Sequence, residues 1–325
     1  MSAIAEQTRP SFSESPASMR EHEARGLPKA PVFMREADLE DESIGSKIRV
    51  GVIQKHVSFF DEAAGVAARI GTLRMEGEYI LPRHRHTFVN LRYIVDGETG
   101  YGREIYREGD LIYAPESTYY GPQQPAETAR GPAHKDDVRR GYKQLDMQFM
   151  GTSGIPYFRP EQLQHAQAEL SKRGEFKAGV YREDGRNRDS YEALHEFITG
   201  SRPEYPQPRQ LSYTVVRAPN IPWKRTSLQG VERKHLGYFT ESGPNVKLVR
   251  MAAGSTTKPG RVPYQQARFV ISGSIQYEDG EFPGVSMAYY PPNTAYSGMR
   301  ALSDATLLVV QWATLHGEAP ELGDL

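Results

Sequence analysis

The segment LPRHRHTFVNLRYIVDG, residues 81–97, places His84, His86, Asn90 and Arg92 at even spacing. Successive side chains of a strand alternate, so an extended segment projects all four to one face. If that face lines an interior, two imidazoles and an amide converge on a divalent ion, and a guanidinium one step deeper can receive an anion. An HxH pair alone is equally the pattern of two solvated or structurally paired histidines, so its surroundings must decide. The chain has no cysteine. That removes disulfides, thiolate metal sites and cysteine nucleophiles, and leaves His, carboxylate, amide or phenolate as ligands.

The elements that must position these residues follow from pattern. The stretch 1–46 is rich in Ser, Glu, Arg and Pro with little periodicity, and reads as a partly disordered N-terminal arm. From Lys47 to Phe158 short alternating runs broken by Gly, Pro and Asp predict antiparallel strands. Pro160 to Arg173, followed by Gly174, carries helix start and stop signals. A second helix is expected over Asp189–Thr199, closed by Gly200, so that 159–208 forms a helical linker. Strand patterning returns over 209–325 and ends near Thr314.

Sliding the sequence by 176 residues aligns Thr72–Tyr120 with Leu248–Tyr296 without a gap, giving ten identities in 49 positions. Among the pairs are Arg92/Arg268, Gly97/Gly273, Tyr101/Tyr277, Tyr113/Tyr289 and Tyr120/Tyr296. Such spacing argues for two copies of one unit. Many short strands with Gly and Pro corners suit a closed double-sheet barrel better than an open sheet. The expected fold class is therefore all-β, two barrels joined by a helical linker. In the second unit Gly260, Val262 and Gln266 stand where His84, His86 and Asn90 stand in the first, so that barrel is expected to hold no catalytic metal.

The first unit resembles the cupin family. HxH followed by Asn90 and the turn glycine Gly97 is similar to the first cupin motif, and Arg107-Glu-Gly-Asp-Leu-Ile-Tyr-Ala-Pro115 to the second. Residues 73–146 look, more narrowly, like the bicupin branch of gentisate 1,2-dioxygenase and its salicylate relatives. The resemblance implies cupin (double-stranded β-helix, jelly-roll) barrels, Fe(II) held by His84 and His86, and Arg92 meeting a substrate carboxylate. The family's third histidine falls at Tyr120, which departs from the pattern. A phenolate from Tyr120 or the amide oxygen of Asn90 could stand in, since a nearby divalent cation favours the anionic form. Asp146 and Gln148 share one face of the segment QLDMQF and are expected beside the substrate, Gln148 also as a further ligand candidate, and Tyr113 as a substrate contact. His134, in an insertion the second unit lacks, is a candidate replacement ligand, though loop histidines are mostly surface residues. The remaining histidines, His56 among them, have no ligand spacing.

The resemblance implies a homo-oligomer, dimer or tetramer, and an Fe(II)-dependent dioxygenase that uses O2 on a small hydroxylated aromatic acid. Two further readings stay open: a metal-poor barrel binding an aromatic or other small anion, and a lyase or isomerase using another divalent metal. With 40 basic and 41 acidic residues no global field favours nucleic acid or an anionic membrane. No apolar run approaches the roughly 18 residues that span a bilayer, and phosphate-binding glycine loops are absent. A cytoplasmic protein with a small-molecule partner is expected.

Overall fold

The protein is described from a computed structural model over residues 27–41, 51–61, 66–134, 141–151, 153–155, 158–240 and 243–313. Of the expected N-terminal arm, 1–26 and 42–46 lie outside these residues, as do His22 and His316.

The long strand Val89–Tyr101 is the axis of the first barrel. Its first half pairs antiparallel with Asp110–Ala114 on one side and Tyr142–Phe149 on the other, followed outward by Val66–Met75 and Val52–Asp61. Its second half turns away and pairs with Glu104–Arg107 and Gln123–Pro125, so one strand serves both walls. The turn is made at a bulge between Ile94 and Asp96, next to Gly97 at φ 75°. A Cβ at Gly97 would lie 2.4 Å from the Gly141 carbonyl oxygen. Gly273 repeats this in the second barrel, at φ 76° and 2.1 Å from the Asp304 carbonyl oxygen, which explains why both units carry glycine there.

The large sheet of the second barrel runs Val32–Arg35, Ser286–Tyr290, Gln265–Ser272, Ala305–Trp312, Asn245–Met251, Val231–Tyr238, Lys224–Arg225. The barrels exchange edge strands. Val32–Arg35, which precedes the first barrel in the chain, pairs with Ser286–Tyr290 of the second, and Thr214–Arg217, which follows the linker, pairs with Asp110–Ala114 of the first. Each exchange covers an edge that would otherwise expose unpaired backbone groups. The two large sheets meet through one apolar layer, in which Phe59 stacks on Tyr289 at 3.9 Å, Tyr113 on Phe239 at 4.4 Å and Phe149 on Trp312 at 5.0 Å between ring centres.

The linker holds both expected helices. Pro160–Leu170 ends three residues before the expected Arg173, and the Gly174 N–H closes on the Leu170 carbonyl at 3.0 Å. Ser190–Thr199 is capped by Asp189, whose carboxylate accepts from the Tyr191 and Glu192 N–H groups at 2.8 and 3.1 Å, and stopped by Gly200 in the left-handed region. Between the helices lies an unexpected three-stranded sheet, Glu175–Lys177, Val180–Glu183 and Arg186–Asp189, turned by Asp184-Gly185 with both residues at positive φ. Asp-Gly is the hairpin signal that sequence reading passed over. Among the described residues no helix is long and apolar enough to cross a membrane.

Candidate functional site

The site of the first barrel is assembled around one backbone pair. His84 and Tyr120 face each other across reciprocal N–H to carbonyl bonds of 3.0 Å, which sets their side chains beside one another. The string Arg83-His84-Arg85-His86 alternates. His84 and His86 turn inward, their ring centres 4.9 Å apart, while Arg83 and Arg85 lie against the exposed Tyr119 ring on the outer side, each 4.7 Å from its centre. The Tyr120 ring lies 4.5 Å from the His84 ring and 5.8 Å from the His86 ring, and its side chain is buried.

His84 has a defined tautomer. Its Nδ1 lies 2.6 Å from the Pro82 carbonyl oxygen, an acceptor only, so Nδ1 carries the proton and, in the neutral imidazole, Nε2 presents its lone pair. That lone pair faces the Tyr120 hydroxyl at 3.1 Å. The Tyr120 oxygen in turn accepts from Arg92 Nη2 at 3.2 Å and Asn90 Nδ2 at 3.4 Å. His86 is stacked on Phe88 at 4.5 Å and meets Tyr191 of the linker helix edge-on at 5.6 Å. Burial pushes the Tyr191 phenol up to about 12, against the pull of its bond to Thr87, so it stays neutral beside the imidazole.

Behind Tyr120 stands a buried charge network. Arg92 Nε donates to Asn90 Oδ1 at 3.1 Å and lies 3.3 Å from Asp146 Oδ1, while Nη1 donates to Tyr101 and, at 3.1 Å, to Gln123 Oε1. Asp146 also meets His56 Nε2 at 3.2 Å and accepts from Gln144 and Gln148 at 3.1 and 3.2 Å. Burial alone would raise the Asp146 pKa, yet the bond from His56 and the charge of Arg92 outweigh it and hold the carboxyl at about 2. Burial likewise works against the Arg92 charge, and Tyr101, Tyr120 and Asp146 more than offset it. The network is thus a fixed ion pair in which both Asp146 oxygens have hydrogen-bond partners.

These distances revise several expectations. Arg92, expected to receive a substrate carboxylate, has Asp146 as its internal carboxylate. One Nη2 hydrogen remains beyond the bonds above. Asn90, considered as a ligand through its amide oxygen, spends that oxygen on Arg92 Nε and turns its NH2 toward Tyr120. Gln148 reaches Asp146 and accepts from Arg69 at 3.4 Å, one layer behind the imidazoles. Tyr113 points the other way, into the layer between the barrels. His134 lies exposed on a 3-10 turn. Sequence reading missed His56, Tyr101, Gln123 and Tyr191. Only Gly71 signalled His56: it faces His56 across the strand pair, and a Cβ there would come within 2.6 Å of the imidazole.

Among the described residues no three His, Asp or Glu side chains are placed to share an ion, so a metal beside His84 and His86 would need a donor of another kind, for which Tyr120 is the candidate in contact with His84. The residues fit that demand. Two ligands at right angles around an ion, each about 2.1 Å from it, stand about 3 Å apart, which matches the 3.1 Å between His84 Nε2 and Tyr120 Oη. The Pro82 carbonyl on Nδ1 is the outer support a metal-bound imidazole requires.

The profile of the ChrR Cupin-like domain family matches residues 212–315, the second barrel and its leading strand. No curated protein matches the chain. Solved structures match nearly end to end. A proposed dioxygenase from Nostoc punctiforme shares 12% identity over 91% of this chain and 89% of that one, with a TM-score of 0.58. Oxalate decarboxylase from Bacillus subtilis shares 12% over 96% and 86%, with a TM-score of 0.52. HEPD from Streptomyces albus, holding 2-hydroxyethylphosphonate and Fe(II), shares 13% over 88% and 77%, with a TM-score of 0.50. At these identities the likeness establishes the fold, which is that of a two-barrel cupin.

Proposed function

We propose that the first barrel is a divalent-metal oxidoreductase site, and specifically that of a non-haem Fe(II) dioxygenase acting on a small hydroxylated aromatic acid of the gentisate or salicylate kind. The observation that carries this reading is the 3.1 Å approach of a lone-pair-bearing imidazole nitrogen to a buried phenol oxygen, with a second imidazole beside them. His84, His86 and Tyr120 would hold the ion. Bound there, the iron would supply the site's means of engaging O2 and the substrate phenol.

The protein groups have positioning and charge-balancing roles. Arg92 and Asn90 donate to the Tyr120 oxygen and so favour negative charge on it. Asp146, held by His56, Gln144 and Gln148, keeps Arg92 fixed and neutralised. The remaining Arg92 Nη2 hydrogen is the group to which the substrate carboxylate would bond. Phe88 and Tyr191 shield His86 from water, and Arg83 and Arg85 place positive charge on the outer side, which draws in an acid.

The test is oxygen consumption by the anaerobically iron-loaded chain with gentisate and salicylate. Turnover that falls at least about a hundredfold in His84→Ala supports the reading; an iron-loaded chain that consumes no oxygen with any hydroxybenzoate rejects it. One observation favours a second reading, in which the barrel binds an aromatic anion without metal: the Arg92 guanidinium lies 3.2 Å from the Tyr120 oxygen, which disfavours a cation if that oxygen stays protonated. Stabilisation by aromatic acids that persists in chelator and in His84→Ala but vanishes in Arg92→Ala would establish it.

A further inference from the structure

The second barrel keeps the arginine of the repeat but not its counter-charge. Arg268 aligns with Arg92, and in the sheet Arg92 faces Asp146 whereas Arg268 faces Val309. All four carboxylates buried among the described residues, Asp110, Glu116, Glu127 and Asp146, belong to the first barrel. In the second barrel Arg268 is only 2% exposed, and on the other flank of Val309, in the same row and on the same face, stands Lys247 at 4%. Two buried cations therefore share one interior face.

The bonds of Arg268 are correspondingly poor. Nε donates to the neutral amide of Gln266, Nη1 has the Met299 sulfur at 3.8 Å, a weak acceptor, and Nη2 has no hydrogen-bond partner among the described residues. The guanidinium is wedged between the rings of Tyr290 and Tyr296, at 4.2 and 4.4 Å from their centres, which fixes its plane. The Tyr290 hydroxyl, also fully buried, has no hydrogen-bond partner among the described residues either. Glu278, the acidic residue that follows Tyr277, is exposed and accepts from Ser297 at 3.2 Å. A desolvated guanidinium held rigidly, with Nη2 buried and unpaired among the described residues, is a cation lacking its anion.

We infer that the second barrel is a binding site for a small organic carboxylate, taken up at Arg268 Nη2 and supplying the counter-charge that Asp146 supplies to Arg92 from the opposite strand, with Lys247 adding charge from two strands away. The aromatic walls, Phe33, Tyr277, Phe282, Tyr290 and Tyr296, suit a carboxylate with a short apolar body. The site does not depend on a metal in the first barrel.

Calorimetric titration and thermal unfolding of the full chain with acetate and benzoate, at constant ionic strength, test this. Saturable binding with a rise in Tm is expected, unchanged in His84→Ala and weakened at least about tenfold in Arg268→Met and in Val309→Asp. Val309→Asp supplies the missing carboxylate from within, so it should fold and compete with the ligand even if Arg268→Met does not fold. Absence of saturable binding in the unaltered chain overturns the site. Binding that both variants leave intact, or binding of inorganic phosphate in preference to either carboxylate, overturns the assignment.

Discussion

The two barrels set the same backbone to opposite electrostatic ends. In the first, one row across the sheet reads His56, Gly71, Asp146, Arg92; in the second the corresponding row reads His235, Lys247, Val309, Arg268. Gly71 leaves room for His56 to reach Asp146. Lys247 fills that room, and His235 is exposed, bonded to Asn245 at 3.0 Å. The strand pairing that opposes His84 to Tyr120 likewise opposes Gly260 to Tyr296. There the Tyr296 ring has moved into the vacated space, so that a Cβ on Gly260 would lie 2.7 Å from its hydroxyl. A repeated Arg and Tyr thus do different work. In the first barrel they are a neutralised frame for imidazoles, and in the second a charged wedge without a frame.

The largest break in that contrast is Asp146→Val, which gives the first barrel the row of the second. It strands Arg92 without a carboxylate, and denaturant unfolding should show a loss of about 3–5 kcal/mol. The same carboxylate makes stability depend on acid. With its pKa at about 2 in the folded chain and near 4 unfolded, Asp146 contributes about 2–3 kcal/mol that is complete above about pH 4 and is lost as pH falls toward 2. Urea midpoints from pH 5 downward should carry this component in the native chain and lack it in Asp146→Asn.

Gly71→Ala comes next. Its methyl would meet the Lys55 carbonyl oxygen and the His56 ring, so a loss of about 1–3 kcal/mol is expected, with displacement of His56 visible in its imidazole NMR signals. Tyr120→Phe removes the acceptor of Arg92 and Asn90 and should cost about 1–2 kcal/mol, while Tyr120→His should raise divalent-metal affinity, read by competition with a chelating dye. The smallest effect is Asp189→Ala, about 1 kcal/mol through loss of the helix cap, detected as a lowered Tm.

Much of this was legible in the sequence because it is local. Even spacing put His84, His86, Asn90 and Arg92 together, and the helix signals at Pro160 and Asp189 read directly. The 176-residue repeat announced two barrels. What escaped is long-range or two-sided. The exchanged strands Val32–Arg35 and Thr214–Arg217 pair with partners far away in the chain, which no local pattern announces. Tyr113, expected as a substrate contact, lies in the layer between the barrels; all five residues of Asp110–Ala114 are buried, so alternation carries no sign of which face it takes. His56 needed a partner 90 residues away to acquire meaning.

The central claim is that His84, His86 and Tyr120 share one ion. Elemental analysis of the chain purified without oxygen and loaded with Fe(II) tests it most directly. The account predicts about one iron per chain, falling below about a tenth in His84→Ala and His86→Ala, and on oxidation a visible phenolate-to-iron charge-transfer band that Tyr120→Phe abolishes. A chain that retains no iron, or iron whose content and spectrum are indifferent to all three substitutions, would contradict it.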